Sequence, residues 1–164
     1  MRKVIFIASI LVMMSGCSYF KKAPATFEPW YPAVNENGDP VLTVYEGRIP
    51  CMAMPDCNKI KVGLALYQSA QTKLPTAYLL ARVGVGTGND RITNAGTLTL
   101  THGTALDPKA VVYQLDTNAP QEFRSYWVIG RDILFMLDQD RNPRAVDAAY
   151  SYVLNRMKPA KSQL

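Results

Sequence analysis

The chain has 164 residues, 48% of them hydrophobic and 10% aromatic, with 18 basic and 13 acidic residues. That length holds one small domain, and that composition is too apolar for a disordered polymer. A formal charge of +5, with no dense basic block and "NRMKPAKSQL" as the largest local group, gives no electrostatic footprint for a nucleic acid.

At the start, Arg2 and Lys3 precede the uninterrupted apolar run "VIFIASILVMM" and then "SGC". A charged start, a short apolar stretch and small residues before a cut site describe an export signal. The run is well under the ~20 residues that span a bilayer as a helix. "MSGC" resembles the bacterial lipobox, in which Cys17 becomes the first mature residue and carries a diacylglycerol thioether and a third acyl chain. Several chains on one residue anchor stably where one would be marginal. Ser18 stands where an Asp would favour retention in the inner membrane, which points to the outer membrane, with the folded domain in the periplasm. Removing Arg2 and Lys3 leaves 16 basic against 13 acidic residues, or +3. The expected organisation is a signal peptide over 1–16, a lipid-anchored tether over 17–40, a domain over 41–157 and a tail over 158–164.

The tether "KKAPATFEPWYPAVNENGDP" holds four prolines and a turn cluster, which favours extended or irregular backbone. Trp30 and Tyr31 interrupt it; they dock on the domain or lie near lipid head groups, and docking is the expected role. Strand signals then follow densely. "VLTVYEGR" alternates Leu42, Val44 and Glu46 against Val41, Thr43, Tyr45 and Gly47. "KIKVGLALYQ" sets Ile60, Val62, Leu64 and Leu66 on one face and Lys59, Lys61, Gly63, Ala65 and Tyr67 on the other. "TAYLLARVGV" and "GTLTLTH" are strands on either side of the loop "GTGNDRITNA". "AVVYQLD", "FRSYWVIG" and "DILFMLD" continue the series, with a tight hairpin at Gly130-Arg131-Asp132 and a turn at "DQDRNPR". The last segment, "AVDAAYSYVLNRM", fits a helix or a strand, and periodicity alone does not choose. Many short strands with turn signals predict an all-β sandwich or small antiparallel barrel, and a barrel leaves no open edge.

Catalytic patterns are sparse. His102, the sole histidine, ends a strand and has no second histidine for a zinc site. "GVGTG" lacks the Lys-Ser/Thr of a phosphate loop. "DQDRN" lacks the glycine and the distal glutamate of a calcium loop, Pro143 and Ala149 standing in those places. A non-enzymatic protein is expected. The remaining constellation is "EGRIPCMAMPDCNKI". Cys51, Met52, Met54 and Cys57 form a soft set suited to Cu(I) when the thiols are reduced. In an oxidising compartment the same two cysteines are expected to pair as a disulfide, which removes both thiolates. The two readings are alternative redox states of one loop.

That stretch resembles the cysteine motif of NlpE-type outer-membrane lipoproteins, Y-x-G-x-x-P-C-x-x-C-x-G-I, at Tyr45, Gly47, Pro50, Cys51, Cys57 and Ile60. "YWVIGRDILFMLDQDRNP" is similar to the family's L-x-x-L-D-x-D-G-x-P segment at Leu134, Leu137, Asp138, Asp140 and Pro143, and "AYSYVLNR" resembles its closing strand. The cysteines are spaced C-x-x-x-x-x-C rather than C-x-x-C, and Asn142 stands where Gly is common. The resemblance implies a lipocalin-like antiparallel barrel with a strand at its end. It also implies a role in copper resistance or homeostasis and in envelope-stress or surface sensing through a sensor kinase, with no enzymatic activity. Different classes of function also fit the residues: a periplasmic carrier of an apolar ligand or a lysozyme inhibitor, which a partly empty barrel with an open mouth would support, and a structural lipoprotein of an envelope assembly.

Overall fold

The computed structural model describes residues 29–51, 57–85, 90–144 and 151–158. The signal segment, Cys17, the first part of the tether, Met52, Met54, most of the glycine-rich loop, residues 145–150 and the tail from 159 lie outside the described residues.

Eight antiparallel strands form a closed barrel in simple meander order. They are β1 (Val41–Ile49), β2 (Lys59–Gln68), β3 (Pro75–Val85), β4 (Arg91–His102), β5 (Val111–Leu115), β6 (Ser125–Ile129), β7 (Ile133–Met136) and β8 (Val153–Arg156). Closure comes from β8, which pairs with β7 on one side and with β1 through Tyr45↔Arg156 and Glu46↔Asn155 on the other. The ambiguous last segment is therefore a strand where it is described. Barrel closure also decides between the sandwich and the barrel.

Alternation places the core. Ile60, Val62, Leu64 and Leu66 of β2 point inward together and join Tyr45, Ile49, Tyr78, Leu80, Leu98, Leu115, Phe123, Tyr126, Leu134, Met136 and Leu154. Eight strands enclose about as much space as side chains can fill, and here tyrosines, leucines and a phenylalanine fill it. Burying each large apolar side chain contributes about 1.5–3 kcal/mol.

Two sequence expectations need correction. Residues 91–95 were expected in a loop, yet β4 begins at Arg91 and pairs with β3 from Val83↔Arg91 to Ala77↔Thr97. Its polar residues are those of a strand with an exposed outer face at Arg91, Thr93, Ala95 and Thr97. Its inward Asn94 accepts from Arg82 Nη2 at 2.8 Å rather than packing in an apolar core. The segment 123–130, read as one strand, begins instead with a short 3-10 turn at Gln121–Phe123, which swings Phe123 into the core. The β6–β7 connection is the expected tight hairpin: Ile129 pairs with Ile133, and Gly130 supplies the left-handed residue at φ 63.

A second apolar cluster lies outside the barrel. Trp30 and Tyr31, stacked edge to face at 5.2 Å, pack with Val41, Ala77 and Leu79 on Val44, Ala65 and Tyr67. A Cβ at Gly63 would run into the Trp30 ring, so this glycine makes the seat for the indole. Trp30 Nε1 donates to Glu46 Oε1 at 2.6 Å, and the Tyr67 hydroxyl donates to the Pro32 carbonyl at 3.1 Å. Residues 30–34 thus lie along the outer faces of β1 and β2 before the Val34↔Pro40 bridge leads into the barrel.

Candidate functional site

The β1–β2 connection carries the cysteine motif. Pro50 has no N–H, so the ladder that ends with Ile49↔Ile60 cannot continue through it. Cys51 and Cys57 follow on either side of the connection and are joined as a disulfide, with Cα atoms 5.8 Å apart. Both are half-buried and pack against the interior cluster, so the bond sits on one end of the barrel core. In this state neither sulfur is a thiolate. The set expected for Cu(I), Cys51, Met52, Met54 and Cys57, therefore requires reduction, and its two methionines belong to the segment outside the described residues. His102 is exposed at the far end of β4, where its carbonyl accepts from Arg141 Nη1 at 2.9 Å. Among the described residues no group of three or more His, Cys, Asp or Glu is placed to hold a metal.

The other motif residues close and brace the barrel. The Tyr45 hydroxyl donates to the Arg131 carbonyl at 3.0 Å, tying β1 to the β6–β7 hairpin. A Cβ at Gly47 would collide with the Val153 carbonyl and the Leu154 side chain, so glycine lets β8 approach β1 where the barrel seals. Leu134 and Leu137 are buried. Asp138 Oδ1 accepts from the Asp140 and Asn142 amides at 2.9 and 2.8 Å, which builds the turn that returns the chain to the Leu137↔Pro143 bridge. The left-handed residue of that turn is Arg141, at φ 61, and not Asn142, which explains why a non-glycine is accepted at 142.

A polar network at the β3–β6 connections escaped the sequence reading. Asp116 accepts from the Thr97 amide at 2.7 Å, the Tyr78 hydroxyl at 2.9 Å and the Asn118 amide at 3.0 Å. Burial pushes its carboxyl up, but these hydrogen bonds outweigh burial and hold it below the usual carboxylate range. Arg82 lies 5.1 Å over the Phe123 ring, and Arg144 lies 5.7 Å over the Tyr152 ring. Arg144 also donates to the Leu137 and Glu122 carbonyls. Burial raises the Tyr126 phenol and lowers the Arg82 guanidinium. The available signal was parity: Arg82 continues the inward series Tyr78, Leu80.

Two grooves flank Trp30 on the outer face. One, of about 530 Å³, is lined by Glu46, Arg48, Lys61, Gly63, Ala81 and Arg91 among others. The second, of about 460 Å³ and more apolar, runs past Leu42, Val44, Arg156, Met157 and Lys158.

Comparison with known families agrees with the motifs. A family model described as the NlpE N-terminal domain matches residues 45–146, a span that starts on Tyr45 and encloses both the cysteine motif and the Asp138 turn. No curated protein and no solved structure gives a significant match. With a family model covering more than half its length, a closed eight-strand barrel and a disulfide-bonded cysteine pair on the β1–β2 connection, the chain belongs to the NlpE family through its N-terminal domain.

Proposed function

We propose that the protein is a non-enzymatic envelope lipoprotein of the NlpE type, acylated at Cys17 and held at the outer membrane, that serves copper resistance and envelope-stress or surface sensing. Family membership supports the envelope role. The observation that carries the sensing role is the Cys51–Cys57 disulfide on one end of the barrel core. Thiol–disulfide exchange with an envelope dithiol, which is itself oxidised to a disulfide, would yield two thiols that neighbour Met52 and Met54 in the sequence. That set favours Cu(I) over harder cations, and its binding would release the thiol protons. The oxidised loop offers at most the two thioethers. Loop redox state and copper occupancy are thereby coupled, and either would change how this barrel end looks to an envelope sensor kinase. A partly empty barrel would support the carrier alternative, whereas the described interior is packed with large side chains.

The test pairs cells with purified protein. A deletion strain should be copper-sensitive, and wild-type but not the Cys51→Ser/Cys57→Ser chain should restore tolerance. Cu(I) titration against a competing chelator should show binding by the reduced protein and little by the oxidised one. Equal behaviour of both redox forms, with full rescue by the double variant, would remove copper from the reading and leave an envelope lipoprotein.

A further inference from the structure

We propose that the outer face of β1 to β4 around Trp30 is a seat for an anionic phospholipid surface. The argument begins with register. Arg48 of β1 lies directly opposite Lys61 of β2, Lys61 opposite Val83 of β3, and Val83 opposite Arg91 of β4. All four point outward, so three cations share one row across the sheet. Like charges placed directly opposite each other destabilise a sheet. None of the three takes part in an ion pair among the described residues, where Arg156 pairs with Asp132 at 3.8 Å. Glu46 also lines the groove; it accepts the neutral Trp30 indole N–H at 2.6 Å and keeps its own charge, so it offsets one of the three cations and leaves the face net positive. The row therefore carries an internal repulsion that an anionic partner would relieve.

The shape of the face fits an extended partner. The row rims a groove of about 530 Å³ whose floor is made of small residues at Gly63 and Ala81. Across Trp30 the second groove adds Arg156 and Lys158 beside Leu42 and Met157, which are 40% and 45% exposed. Cations, a half-buried tryptophan and exposed aliphatic side chains on one face match the chemistry of a membrane interface.

Chain connectivity selects the bilayer over an acidic protein. The described chain begins at Pro29, on this face, and Cys17 lies twelve residues earlier. Even fully extended, that stretch reaches about 40 Å. A chain acylated at Cys17 would hold this face within about 40 Å of the lipid head groups. The inference takes only this anchor from the function proposed above.

The experiment is vesicle co-sedimentation of the unacylated chain from Ser18 onward, which keeps all eight strands and both apolar clusters. Binding to phosphatidylcholine vesicles containing phosphatidylglycerol should be roughly tenfold or more tighter than to phosphatidylcholine alone, and should weaken with salt. The Arg48→Glu/Lys61→Glu/Arg91→Glu variant should lose it. A variant with the same charge change elsewhere, Lys73→Glu/Lys109→Glu/Arg131→Glu, should keep most of it, with far-UV circular dichroism confirming that both fold. No binding, equal binding to both vesicle types, or equal loss in both variants overturns the proposal. So does abolition by inorganic phosphate at the vesicles' phosphate concentration, which would mean a small-anion site. Unmodified Cys17 in protein isolated from cells, read by mass, would remove the anchor reading without changing the vesicle result.

Discussion

The two faces of β2 are built from alternating neighbours and are completed in different ways. Inward, Ile60, Val62, Leu64 and Leu66 belong to one buried cluster to which all the other strands contribute, and Leu64 and Leu66 have no exposure at all. Outward, the strand is divided. Gly63, Ala65 and Tyr67 are roofed by Trp30 and Tyr31, while Lys61, its cross-strand neighbour Arg48 and, beyond Val83, Arg91 face solvent. Closure thus finishes the inner face without outside help, whereas the outer face depends on a segment that precedes the barrel and is only partly covered by it.

That difference sets an order of mutational cost. Leu64→Ala, which opens a cavity in a fully enclosed core, should cost about 2–5 kcal/mol in a urea or guanidinium titration. The Cys51→Ser/Cys57→Ser change removes a cross-link over a closed loop of about seven residues and should cost at most about 2.4 kcal/mol by the chain-entropy account. Trp30→Ala should cost less than Leu64→Ala, about 1–3 kcal/mol, because water can reach the ground that the ring vacates. Gly63→Val should give a comparable loss, since its side chain occupies the place of the indole. It should also shift tryptophan emission towards that of an exposed indole. If Trp30→Ala and Leu64→Ala cost the same, the outer cluster is as integral as the core and the contrast fails.

The sequence carries the inner face better than the outer one. Period-two alternation in "KIKVGLALYQ" identifies the inward residues because each of them is apolar. The same rule misses the start of β4, whose Arg91, Thr93 and Asn94 resemble a loop, because that strand is exposed outside and hydrogen-bonded inside. The docking of Trp30 was expected from two aromatics in a proline-rich stretch, but its seat was not. Gly63 looks like any small strand residue until Trp30 is placed over it. The cation row was hidden for another reason. Arg48, Lys61 and Arg91 are far apart in the chain, and only the pairing register brings them together. At the cysteine loop, residue types and spacing suggested both a disulfide and a soft-metal set. Which state prevails depends on redox conditions as well as on the sequence.

The polar end of the barrel offers the smallest and most specific comparison with the apolar remainder. Asp116 ties β3, β4 and the β5–β6 connection through hydrogen bonds from Tyr78, Thr97 and Asn118. Its carboxyl is held below its ordinary 3.8, because those bonds to the charged form outweigh burial. A group depressed on folding contributes its full stability above the unfolded value and loses it as pH falls through the lower folded value. Asp116→Asn should therefore cost roughly 1 kcal/mol at neutral pH. It should also flatten the loss of stability on acidification below pH 3.8 relative to wild type. Leu64→Ala, which alters no titrating group, should lower the whole pH profile without changing its shape. Chemical denaturation of the three chains across that acid range measures both effects. An Asp116→Asn profile parallel to wild type would mean that residues other than this carboxylate govern acid unfolding.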